Sequence, residues 1–185
     1  ISELKRFIKK YPANDNIAYA YFLLGICYYE LIVDEKKDLS PLLNSRKYFN
    51  IVIKNYPNTD FALDAKFKLD LIDNVLASKE VYIGKYYISR KKWIPAINRF
   101  KNVVNQYEKT EYVEEAIHRL VEINYIIGLE DEARKYASLL GYNYQSSKWY
   151  EESYRVFNKD YQNPKAKIKK DKKNIIRRNF KKLFK

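Results

Sequence analysis

The sequence predicts an all-α protein built from tetratricopeptide-like helical hairpins, and three observations lead there. Four glycines and five prolines in 185 residues leave little material for the tight turns of an all-β chain. Leu, Ile, Lys, Glu and Ala recur at steps of three and four, the period of a helix with one buried face. Apolar runs also end repeatedly on a tyrosine, in "FIKKYPAND", "IVIKNYPNTD" and "VVNQYEKTE". These tyrosines, Tyr11, Tyr56 and Tyr107, stand 45 and 51 residues apart, the mark of a repeated unit with insertions.

Aligned on the tyrosines, Leu4, Phe49 and Phe100 share one register, as do Phe7, Val52 and Val103, and then Ile8, Ile53 and Val104. Each set lies on one face of its helix. Proline after Tyr11 and Tyr56 has no N–H and disfavours helical geometry in the residue before it, so the helix stops there. The Asp or Asn of "PANDN" and "PNTD" is then expected to cap the next helix. In chain order the helices fall at 2–10, 17–32, 44–55, 61–90, 93–106, 111–127, 130–140 and 147–158. The stretch "VDEKKDLSPLLN", 33–44, reads as a polar insertion, and 61–90 as one long helix or a close pair broken near Ser78. Leu24, Gly25 and Tyr28, and again Ile83, Gly84 and Tyr87 followed by Ala96, Phe100 and Val103, match the tetratricopeptide offsets. A small residue in the first helix and an alanine early in the second let the two backbones approach. Glycine there costs about 1 kcal/mol of helix propensity, which close packing offsets. Such hairpins are expected to stack into a right-handed superhelix. The expected organisation is a repeat domain over 1–142 (the end of one repeat plus three), a helical extension over 143–163 and a basic amphipathic tail over 164–185.

Charge and residue inventory exclude several function classes. The chain carries +13, yet Lys165 to Lys185 hold eleven Lys or Arg against one Asp, a net of +10, so residues 1–164 carry only +3. The basic character belongs to the tail. No stretch of 18 uninterrupted apolar residues occurs. Cys27, the one cysteine, sits in "LLGICYYEL" as a packed helix residue. His118, the one histidine, either packs or faces solvent, and no second histidine, Cys–His pair or glycine-rich phosphate loop accompanies it. No cofactor, metal site or catalytic residue is expected. The expected function is binding, with tyrosines 19, 21, 28, 29, 82, 86 and 87 either lining an interaction face or filling the core. The pattern begins mid-helix at Ile1, so an upstream segment, with any signal peptide or lipid anchor, is expected to precede this piece.

Residues 46–107 carry "YPNT" at 56–59, "LA" at 76–77 with Glu80 behind it, "YY" at 86–87, Trp93 and "NR" at 98–99. Together these resemble the BamD (ComL, YfiO) family, outer-membrane protein assembly lipoproteins of Gram-negative bacteria. "LGYNYQSSKWYEESYRVF", 140–157, is similar to the C-terminal segment of alphaproteobacterial members. The resemblance covers about residues 2–157. It implies a non-catalytic periplasmic scaffold of the β-barrel assembly (BAM) complex, tethered to the outer membrane by an N-terminal lipidated cysteine absent from this chain. It further implies binding to the POTRA region of BamA, association with other BAM lipoproteins, and help in delivering unfolded outer-membrane proteins. Arg99 matches a family arginine at the BamA contact, and Asn98 and Trp93 are expected to flank it. Glu108 stands where the family has proline, and the basic extension past Pro164 departs from the family pattern.

In that tail, Lys169, Lys170, Lys172, Lys173, Arg177, Arg178, Lys181 and Lys182 surround an apolar half-wheel that includes Phe180 and Phe184. It suits an anionic membrane surface or an acidic partner. The rival reading from the residues alone is a cytoplasmic tetratricopeptide adaptor for another peptide, with the tail on nucleic acid.

Overall fold

The computed structural model describes residues 1–31 and 39–159, and all regular structure among them is α-helical. The helices are α1 (Ser2–Lys10), α2 (Ile17–Tyr29), α3 (Ser40–Asn55), α4 (Asp60–Ser89), α5 (Trp93–Gln106), α6 (Val113–Ile126), α7 (Glu130–Asn143) and α8 (Lys148–Phe157). The basic tail, with all its expected contact residues, lies outside the described residues.

One turn device ends α1, α3, α5 and α7. Tyr11, Tyr56 and Tyr144 adopt nearly the same angles, φ −130°, −132° and −134° with ψ 60°, 50° and 45°. Each donates its N–H to the carbonyl four residues back, and its own carbonyl accepts from the residue three ahead: Asn14 (3.2 Å), Thr59 (3.2 Å) and Ser147 (3.0 Å). The Tyr107 carbonyl likewise accepts from the Thr110 N–H at 3.1 Å. The hydroxyls of Thr59 and Thr110 donate to the same carbonyls at 2.8 Å. Proline is therefore dispensable, since Glu108 and Gln145 occupy its place after Tyr107 and Tyr144. Capping also differs from expectation: Thr59 Oγ1 accepts from the Ala62 N–H at 3.3 Å and Ser147 Oγ from the Trp149 N–H at 3.1 Å, while Asp60 lies inside the first turn of α4.

Two boundaries are corrected, and for 61–90 the single long helix is the alternative realised. Pro41 opens α3 rather than belonging to a loop, because the first helical positions have no intrahelical N–H bond to lose. α4 runs unbroken for 30 residues through Ser78, having no proline and no glycine before Gly84. α7 extends through Gly141 to Asn143, three residues past the helix end expected at 140.

The chain forms two compact units. The first comprises Ile1–Tyr82 and Tyr107–Glu111. Here α2 packs on α3 and on the first part of α4, burying Leu42, Phe49, Val52, Ala62, Ala65, Ile72 and Leu76. A Cβ built on Gly25 would lie 2.6 Å from Cε1 of the fully buried Phe49, so the ring fills the space that a side chain would need. Ser45, buried one turn before Phe49, donates its hydroxyl to the Gly25 carbonyl at 2.8 Å. The returning Tyr107–Glu111 turn is held by Arg46, which pairs with Asp73 at 2.8 Å and covers the Tyr107 ring at 5.5 Å, and by Asn74, which accepts the Glu111 N–H at 3.3 Å. Burial pushes the Asp73 carboxyl above its usual range despite Arg46.

The second unit comprises Ile83–Gln106 and the residues from Tyr112 onward. Gly84 repeats the arrangement: its Cβ would meet Cζ of buried Phe100 at 2.6 Å, and Ala96 takes the place of Ser45. The next hairpin inverts it. By the same offsets Val121 stands in the glycine position and Ala133 and Ala137 in those of Ala96 and Phe100, and the three form one buried cluster. Bulk has moved from the second helix to the first. Both hairpins turn alike, with Lys91 (φ 55°) and Gly128 (φ 83°) in left-handed geometry and the following N–H, of Lys92 or Leu129, bonded to the carbonyl five residues back. Finally α8 packs against α6 and α7.

These contacts fix two outcomes. Gly84→Ala gains about 1 kcal/mol of helix propensity but overpacks the Phe100 ring at a cost of about 1–3 kcal/mol, so it lowers the urea midpoint. Phe100→Leu in the same chain restores part of the loss, a non-additivity that a double-mutant cycle reads. Lys91→Gly relieves a left-handed non-glycine residue and raises stability by about 0.5–1 kcal/mol after the entropy of the unfolded chain is counted. Gly128→Ala, with open space around its Cβ, lowers it by a comparable amount through the backbone alone. Melting curves of both variants check the pair.

Candidate partner-binding surface

α5 turns Ala96, Ile97, Phe100 and Val103 inward. Its start tolerates Pro95, which sits within the first turn. Ile94, Asn98, Lys101 and Asn105 form the opposite row, all exposed, with Ile94 at 64%. Arg99 is half-buried about 100° round the helix from Asn98, at the margin of the inward face beside Val103. Trp93 is half-buried too, but at about 100° per residue it lies about 120° from Arg99 and on the inner side near Ile97. Asn98 thus lies in the exposed row, while Arg99 and Trp93, both half-buried, border the inward face on its two sides, about 100° and 140° from Asn98. Ile94, beside Asn98 one turn earlier, is the residue that sequence reading missed. An isoleucine next to a tryptophan looks like core until the helix phase is fixed.

A second polar constellation joins α6 to α8. His118 is 3% exposed and Ser153 0%, and His118 Nδ1 lies 2.9 Å from Ser153 Oγ. On the other side of the ring, Nε2 lies 3.4 Å from a Glu122 oxygen and 3.8 Å from one of Glu152. Trp149 stacks on the imidazole with centroids 5.1 Å apart and also carries Arg119, 5.6 Å from its ring. Arg119 bonds Glu122 at 2.6 Å and Glu115 at 3.4 Å, and Lys85 reaches Glu115 at 2.5 Å. Burial pushes the Glu122 carboxyl up, but the donors on His118 and Arg119 outweigh it and hold the group below the usual carboxylate range. Serine, histidine and carboxylate adjoin here as in a hydrolase. Because Ser153 and His118 are both buried, however, the arrangement serves as a seam between helices. Of the two expectations for His118, packing is the one realised.

The tyrosines divide. Tyr82, Tyr86 and Tyr19 are exposed. Tyr21, Tyr28, Tyr48 and Tyr56 are half-buried and stack on one another, with Tyr28 and Tyr48 at 5.6 Å and 9°. Among the described residues no group of three His, Cys, Asp or Glu could hold a metal ion, and no helix is long and apolar enough to cross a membrane.

A family model for YfiO, described as an outer membrane lipoprotein, matches residues 1–139. The chain belongs to this family. Its YfiO relatives include the outer membrane protein assembly factor BamD of Rickettsia prowazekii, 48% identical over 160 residues, which are 86% of this chain and 63% of that protein. BamD of Caulobacter vibrioides is 39% identical over 158 residues, 85% of this chain and 52% of that protein. BamD of Neisseria gonorrhoeae is 27% identical over 135 residues, 68% of this chain and 50% of that protein. The chain thus spans between half and two thirds of the length of these YfiO relatives.

The lowered Glu122 carboxyl sets a pH dependence. Its stabilisation is fully present above the ordinary glutamate pKa of about 4.3 and is lost as pH falls through the lower folded value. Urea titrations of wild type and Glu122→Gln should therefore differ at pH 7, and the gap should close toward pH 3.

Proposed function

We propose that this chain is a non-catalytic, periplasm-facing scaffold of the outer-membrane β-barrel assembly complex. It binds the POTRA region of BamA through the outer side of α5 and helps deliver unfolded outer-membrane proteins for insertion. The observation that carries the reading is 48% identity, over 86% of the chain, to a protein named outer membrane protein assembly factor. The family description as an outer membrane lipoprotein supports anchoring at that membrane through an N-terminal lipidated cysteine outside this chain. It also favours this reading over a cytoplasmic adaptor.

The contact itself rests on geometry. The inner face of α5 is committed to Gly84 and the core, so Asn98, Ile94 and Lys101 are available to a partner without cost to the fold. Arg99 at the edge offers a planar five-donor fork suited to a carboxylate or to backbone carbonyls. The tail, through Lys169, Lys170, Lys172, Lys173, Arg177, Arg178, Phe180, Lys181, Lys182 and Phe184, adds contact with anionic lipid or an acidic partner.

Arg99→Glu should weaken binding to the purified periplasmic region of BamA at least tenfold, and Arg99→Lys by less, because the charge survives but the fork does not. Calorimetric titration gives the affinities, and circular dichroism melting verifies that both variants stay folded. Unchanged affinity of a folded Arg99→Glu variant would overturn the assignment.

A further inference from the structure

The first half of α4 packs through Ala62, Ala65, Ile72 and Leu76, all buried in the first unit. Directly opposite, Leu63, Phe67 and Leu71 are 56%, 64% and 52% exposed. At steps of four they form one row about 12 Å long. A solvent-facing row of three large apolar side chains is unusual on a helix whose core side is already satisfied.

Within the sector of this row the charges have one sign, with lysines only at its borders. Taking about 100° per residue, the sector that holds Leu63, Phe67 and Leu71 also holds Asp60, Asp64, Asp70 and Asn74, and over residues 60–74 no Lys or Arg. All three aspartates are exposed, and none forms an ion pair among the described residues. The nearest cations on the helix, Lys66 and Lys68, lie about 100° from the centre of the row, and Lys68 is engaged over the Tyr29 ring at 5.0 Å. Asn74 closes the far end by accepting the Glu111 N–H, which brings the turn bearing Glu108, Lys109 and Glu111 beside it.

We infer that this row is a docking surface for a cationic amphipathic helix of a partner polypeptide. Apolar side chains of the partner would lie on Leu63, Phe67 and Leu71, and its flanking Lys or Arg would meet Asp60, Asp64 and Asp70. An anionic lipid surface or an acidic peptide would meet the aspartates with like charge, and a purely apolar partner would leave them without counter-charge. The surface lies on the first unit and involves none of the α5 residues proposed for BamA, so the inference goes beyond that reading and stands or falls separately.

The test uses the full chain and two fluorescein-labelled synthetic helices of identical apolar spacing, one flanked by lysines and one by glutamates. Fluorescence anisotropy is expected to show the lysine peptide binding at least tenfold more tightly, although the protein as a whole carries +13 and would repel it. Phe67→Ser should weaken that binding fivefold or more, and Asp64→Lys with Asp70→Lys should reverse the preference between peptides. All three positions are exposed, and melting curves confirm folding. No binding of the lysine peptide, equal binding of both peptides, or indifference to these substitutions would overturn the inference. Arg99→Glu serves as the control that leaves this binding intact.

Discussion

The fold depends on how closely two helices of a hairpin can approach, and that distance is set by an absent side chain facing a phenyl ring. At Gly25 and Gly84 any Cβ would fall inside the van der Waals envelope of Phe49 or Phe100. Glycine in mid-helix is locally unfavourable, so the sequence accepts a weaker helix to gain a tighter pair. The ring in turn is fully buried and sits among Val, Leu and Ala that offer it no room to retreat. The α6–α7 hairpin reaches the same end with valine on the first helix and alanine on the second. There the larger side chain stands on the first helix and the small ones on the second.

Polar groups enter these cores only with partners. Ser45 in the first unit finds the Gly25 carbonyl, and that carbonyl is reachable because the helices are so close. His118 and Ser153 in the second unit satisfy one another, and Glu122, Glu152 and Arg119 complete the seam. Among the described residues one buried side-chain atom is left over. Arg119 Nε is buried without a hydrogen-bond partner, while the rest of the guanidinium is held by two carboxylates and the Trp149 ring. Burying an unsatisfied N–H is costly. It persists here because releasing it would break two charge-assisted bonds on the same planar group.

Much of this was legible beforehand, and the misses share a cause. Helix phase follows from spacing that is local to each hairpin, but spacing pairs the glycine with an early alanine, whereas a phenyl ring faces Gly25 and Gly84. The tyrosine stop was visible, but its mechanism was assigned to proline, the strongest local breaker. Four turns share instead a tyrosine carbonyl that accepts from an Asn, Thr or Ser three residues on. Tyr144 therefore escaped notice, although it lies 37 residues past Tyr107, the same interval that separates Gly84 from Val121. Pro41 misled in the opposite sense, since a proline inside the first turn of α3 marks a beginning. Asn98 and Trp93, expected to flank Arg99, lie about 100° and 120° from it in opposite directions round α5. The partnering of His118 with Ser153 across 35 residues has no signature in one dimension.

Tight inner packing determines where selectivity can reside. When every inward position of α5 is committed to core, evolution can alter Ile94, Asn98 or Lys101 without renegotiating the fold, and the same holds for Leu63, Phe67 and Leu71 on α4. The net charge of +13 does not override such local surfaces. Ten of those charges fall within residues 165–185, and screening confines each charge to about 8 Å at physiological salt. Over the nearly neutral remainder, a partner feels the few side chains directly before it. If both proposed contacts hold, a basic fork on one helix and an acidic-edged apolar row on another select partners of opposite character on one chain.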